Sequence, residues 1–113
     1  MIPLRLEMIK EEKFRKELLD VVDESMTEVF GEDATKLIYT FLEKEHHLRK
    51  EEIPRKPKEF SVALGKMLGS GAQVIERKIL EKTCSKFGLK YRQKENYRFA
   101  DSLSKLKKNF KTA

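Results

Sequence analysis

Apolar residues recur along most of the chain at steps of three and four, the spacing that lines up one face of a helix. From about Glu11 to Phe30 the stripe is Phe14, Leu18, Val22, Ser25, Met26 and Val29. Gly31 follows as a helix stop, because a glycine adopts the left-handed backbone of a C-terminal cap without strain. Asp33 is then expected to cap a second helix, to about Glu45, whose stripe is Leu37, Ile38, Phe41 and Leu42. The stretch HHLRKEEIPRKPKEF has no stripe, and residues before Pro54 and Pro57 are pushed out of helical geometry, so it reads as a connection anchored by Leu48 and Ile53. Pro57 suits the first turn of a third helix that buries Phe60, Ala63, Leu64, Met67 and Leu68 and stops at Gly69.

A fourth helix starts at once. Ser70 and Gln73 have the spacing of a capping box, and Ala72, Ile75, Ile79, Leu80, Thr83 and Phe87 form the inner face. Gly88 closes it, with Leu89 placed to fold back as the apolar partner of a glycine cap. A fifth, amphipathic helix is predicted over about 95–110. Phe99, Leu103, Leu106 and Phe110 make its stripe, while Arg98, Lys105, Lys107, Lys108 and Lys111 lie elsewhere around the cylinder. Residues 1–10 stay unassigned: Leu4, Leu6 and Met8 alternate like a strand, yet Pro3 equally opens a helix. The expected fold is all-α, a compact orthogonal four-helix domain over 11–91 followed by a basic amphipathic C-terminal helix over 92–113.

Composition sharpens this reading. At 113 residues the chain fits one domain, and 39% charged residues with no Trp and only three Pro argue against a β-sandwich or a disordered chain. The net charge of +6 is unevenly placed. Residues 1–85 hold sixteen basic and seventeen acidic side chains, whereas 86–113 hold nine basic and two acidic ones. A localised positive segment fits nucleic acid, an anionic membrane, an acidic protein surface or a solvated tail. Cys84 is the sole cysteine, which excludes a disulfide within the chain. No apolar run approaches membrane-spanning length, and the N-terminus lacks the apolar core of a signal peptide, so a cytoplasmic location without a membrane partner is expected.

Candidate chemistry centres on LGSGAQVIERKIL. A phosphate cradle follows a strand and needs a lysine or a Lys-Ser/Thr pair at fixed spacing, and neither is present. Gly69, Ser70 and Gly71 read instead as an elbow between two helices. Glu76 falls inside the buried arc of the fourth helix, where a carboxylate must find a partner or be neutralised. Basic partners are expected from His46, His47, Arg49 or Lys50, making Glu76 a buried tie. With no second polar group or pocket in view, no catalytic residue is assigned. His46 and His47 diverge by about 100° on a helix and do not share a metal ion, so no metal and no cofactor are expected. Gln73 and Arg77 face outward on the fourth helix and, with Arg98, Lys105, Lys107, Lys108 and Lys111, are candidate contacts for nucleic acid or a protein partner. Phe99, Leu103, Leu106 and Phe110 are the candidate oligomer contact.

The run IPRKPKEFSVALGKMLGSGAQVIERKIL resembles the Nitrosopumilus output domain family, a small archaeal domain found alone or attached to signalling modules. The resemblance is carried by Ile53, Pro54, Pro57, Phe60, Leu64, Gly69, Gly71, Ala72, Ile75 and Glu76, and covers about 14–91. It implies an all-helical output module of archaeal signal transduction, with no catalytic site to carry over. The expected function is therefore a non-enzymatic, self-associating interaction module, most simply a dimer. The alternative is a DNA-binding regulator that uses the basic C-terminal helix and the fourth helix.

Overall fold

A computed structural model describes residues 4–89 and 98–112, leaving out the side chains at 4, 5, 7 and 110–112. These residues form five α-helices and no strand: α1 (Leu4–Phe30), α2 (Glu32–His46), α3 (Pro57–Leu68), α4 (Gly71–Lys86) and α5 (Phe99–Thr112). A 3₁₀ turn, Lys50–Glu52, interrupts the connection between α2 and α3. α1 is the hub, packing against α2, α4 and α5, while α3 packs on α4 and α5. The core is the predicted one in its main parts. Phe14, Leu18, Val22 and Met26 of α1 meet Phe60 and Leu64 of α3 and Ile75, Ile79 and Leu80 of α4, all buried. Phe14 stacks on Phe87 with ring centroids 5.5 Å apart.

The joints explain the short connections. Gly31 alone separates α1 from α2 at φ 87, a backbone that L side chains rarely adopt. Its N–H donates to the Thr27 carbonyl at 2.9 Å, closing α1, and its own carbonyl accepts from the Thr35 N–H and hydroxyl, opening α2. Asp33 therefore lies inside the first turn of α2 and is not its cap. At the far end of α4 the Leu89 N–H bonds the Cys84 carbonyl at 2.8 Å and the Gly88 N–H bonds Ser85, with Gly88 at φ 67. Leu89 packs against the core there, giving the expected glycine cap with its apolar partner.

Several expectations need correction. Residues 4–10 are helical, and the alternation of Leu6 and Met8 has no buried face behind it, since both are exposed. Val29, Leu37 and Phe41 are also exposed despite their place in the predicted stripes. α2 packs chiefly on α1 and the 3₁₀ turn, so a narrow arc around Thr35 and Leu42 suffices to dock it. α5 starts at Phe99 in the described chain; a start at Glu95 falls outside the described residues. The C-terminal helix is no appended tail. Phe99, Leu103 and Leu106 sit in the common core against α1, α3 and α4, so their own chain covers these three of the four residues expected to make an oligomer contact.

Two polar features mark the contact between α1 and α4. Lys78, Lys82 and Lys86, one turn apart on α4, reach Glu28, Glu24 and Glu17 on α1: Lys78 lies 2.9 Å from Glu28, Lys86 3.4 Å from Glu17, and Lys82 bonds Glu28. Rising numbers on α4 meet falling numbers on α1, so the helices run antiparallel. Ser25, fully buried beneath this seam on α1, has a hydroxyl oxygen without a hydrogen-bond partner among the described residues. A buried hydroxyl left unbonded costs about 1–3 kcal/mol. Ser25→Ala removes it at nearly constant volume, and denaturant titration is expected to show a variant about 1 kcal/mol more stable than the parent. An unchanged or lower midpoint would mean that the hydroxyl is satisfied.

Candidate functional site

The residues singled out in the sequence converge, in part, on one cleft. Its walls come from α3, the Gly69–Ser70 joint, α4 and the first turn of α5, and it encloses about 430 Å³. Gly69, Gln73, Glu76, Arg98 and Phe99 all line it. Lys58, Ser61 and Asp101 complete the charged and polar lining, and the sequence reading missed all three. Ser61 was the legible one. It sits beside Phe60 on the inner side of α3, where a lone hydroxyl invites a polar partner from the facing helix.

Glu76 is 5% exposed, and the Ser61 hydroxyl donates to its Oε1 at 2.8 Å. Its described partner thus lies on α3 and not in the connection after α2. Of the basic groups expected to serve it, Lys50 is engaged elsewhere. Lys50 Nζ lies 3.3 Å from Asp23 and 4.9 Å above the Tyr39 ring, whose hydroxyl also donates to Asp23. Burial, followed by the Asp23 charge, pushes the Tyr39 phenol well above its ordinary range. The backbone N–H of Arg49 bonds Glu52, whose carboxyl this bond and Lys56 hold below the usual carboxylate range. His46 packs on Phe41, while His47 takes the left-handed position that ends α2. Among the described residues no cluster of His, Cys, Asp and Glu has the makings of a metal site.

The elbow separates into a required and a dispensable glycine. Gly69 has φ 57 and ψ −131, outside the range of L side chains, and its N–H closes α3 on the Gly65 carbonyl. At Gly71 a Cβ would sit 3.7 Å from the Leu68 side chain, an ordinary contact. Ser70 does not form the expected capping box. Its backbone is already helical (φ −63, ψ −20), which turns the hydroxyl away from the N–H groups it was to accept. The Gln73 N–H bonds the Ser70 carbonyl instead.

The outer candidates scatter. Arg77 is exposed on α4, one turn from Gln73, and Lys105 and Lys108 are exposed on α5. Lys107 turns inward and bonds Glu11 of α1 at 2.6 Å. The side chains of Phe110 and Lys111 lie outside the described residues. Cys84 is buried, and burial pushes its thiol up, so it is an inert packed sulfur. Among the described residues no helix is long and apolar enough to cross a membrane.

Chemically, the cleft offers a carboxylate with a bonded hydroxyl at its floor and groups of both signs in its walls. An ordinary carboxylate is a weak base for a serine hydroxyl, because their proton affinities lie far apart, and no histidine lines the cleft to bridge them. A pocket nevertheless borders Glu76, where none was in view from the sequence. Comparison of the chain with family models, with curated proteins and with solved structures returned no match.

Proposed function

We propose that the chain is a non-enzymatic interaction module of the kind an archaeal signalling output domain represents, and that it acts by associating with itself and with a second protein. One observation carries this reading. A chain with 39% charged residues nevertheless leaves Leu37 and Phe41 exposed one turn apart on α2, with Val29, Val62 and Val74 exposed on three other helices, and neighbouring exposed apolar side chains are what protein contacts cover. Val62 also lines the Glu76 cleft, so apolar and charged contacts are offered side by side.

DNA binding is the second reading, favoured by the exposed pair Gln73 and Arg77 on α4, residue types suited to adenine and guanine edges. It is weakened by Glu81 on the same exposed face and by the three α4 lysines already held by α1 carboxylates. Light scattering at two concentrations, with and without duplex DNA, separates the readings. A mass that rises with concentration above the 13.3 kDa chain and ignores DNA is the expected result. A single chain at every concentration, or a DNA complex weakened steeply by salt, overturns the interaction module as stated.

A further inference from the structure

α2 has one docked face and one bare face. On the bare face Leu37 is 70% exposed and Phe41, one turn on, 42%. Asp33 lies one turn before Leu37, and Lys44 three residues beyond Phe41, both exposed. At about 100° per residue these four positions fall within an arc of about 80°, so they form one continuous strip along the helix. Neither Asp33 nor Lys44 joins an ion pair among the described residues, in contrast to the carboxylates of the α1–α4 seam. The strip is thus an apolar centre with an acid at one end and a base at the other.

That order of charges is complementary to itself only when reversed. We propose that this strip is the self-association surface, and that its occupant is the α2 of a second copy, laid antiparallel about a two-fold axis level with Tyr39. The axis sets Leu37 against Phe41 of the second copy and Phe41 against its Leu37. Asp33 lies six residues before the axis and Lys44 five after it, a mismatch of only about 1.5 Å in height. The two residues also lie on the same flank, about 20° apart. Each Asp33 therefore faces a Lys44 of the second copy, and the pairing forms twice. On the other flank Glu45 meets Ala34, so no like charges are opposed. A parallel two-fold sets opposite flanks together, so Asp33 would face Ala34 and Lys44 would face Glu45; only the antiparallel arrangement pairs Asp33 with Lys44.

This inference rests on the self-association proposed above and names its surface. A contact through one four-turn helix buries less than the roughly 800 Å² per partner of a standard interface, so the dimer is expected to dissociate reversibly, with a constant on the order of micromolar or weaker.

Sedimentation equilibrium over a wide concentration range tests it, with thermal melts as a check on folding; all four positions are exposed, so the variants keep the core. The wild type is expected to pass from one chain to two. Leu37→Glu combined with Phe41→Glu is expected to remain a single chain. Asp33→Lys and Lys44→Asp alone are each expected to raise the dissociation constant about tenfold, and the double exchange to bring it back to within about threefold of wild type. A wild type that never associates overturns both readings. Association unmoved by the Leu37/Phe41 variant overturns this surface and leaves self-association through another. Loss in both single exchanges without recovery in the double one overturns the antiparallel pairing.

Discussion

Leu103→Asp is expected to unfold the chain outright. Leu103 is only 3% exposed, on the inner face of α5, and an aspartate there forfeits about 1.5–3 kcal/mol of apolar burial while placing an ionised carboxylate among the side chains of α1 and α3. Together these exceed about 4–5 kcal/mol, which rivals the whole stability of a domain this size. Circular dichroism should show loss of cooperative melting at neutral pH. The control is Ser104→Asp, next along the helix and exposed, which should leave the melt unchanged. If the Leu103 variant melts like wild type, α5 is a dispensable arm and the shared core described above is wrong.

The second large effect is expected at Phe60. Its fully buried ring lies 6.1 Å from that of Phe99 at an interplanar angle of 50°, an edge-inclined pair that fastens the start of α5 to α3. Phe60→Ala leaves a cavity that the helices on either side cannot close, and costs of this kind run to about 3–5 kcal/mol. Urea titration is the measurement. A double-mutant cycle with Phe99→Ala should show coupling, because either truncation deprives the other ring of its partner. Additive losses would separate the two rings and place α5 differently.

Both effects concern the helix that the sequence placed least well, and the reason is physical. Periodicity states that Phe99, Leu103 and Leu106 share a face, but not which surface the face meets. The concentration of lysine around that stripe pointed outward, to a tail. The inner faces of α1, α3 and α4 were legible because their stripes have the width that two or more neighbours require. α2 was over-read for the converse reason: a helix with few neighbours buries a narrow arc, and Leu37 and Phe41 fall beyond its edge. At Glu76 the burial was readable from angle alone. Its bond to Ser61 was not, since nothing local ties position 61 to position 76. The cleft was still less visible, because a groove forms where three helices fail to meet, and no single helix encodes that gap. The absence of a capping role for Ser70 belongs with these cases: the tight Gly69 joint sets the backbone of the next residue before its side chain has a choice.

The lysine and glutamate rows between α4 and α1 carry a consequence of a different sort. Each row is of one sign, so sliding one helix past the other by a single turn strands a charge at each end, and the rows act as a ruler that fixes the longitudinal setting of the two rods. Glu28 sits where two rungs meet, and its hydrogen bonds from Lys82 and Lys78 hold its carboxyl below the usual range. A carboxyl lowered on folding supports the fold at every pH above its unfolded value and gives up that support as acid protonates it. In acid the ruler loses its graduations while the oily inner faces of the same helices remain, and apolar contacts then hold α4 against α1.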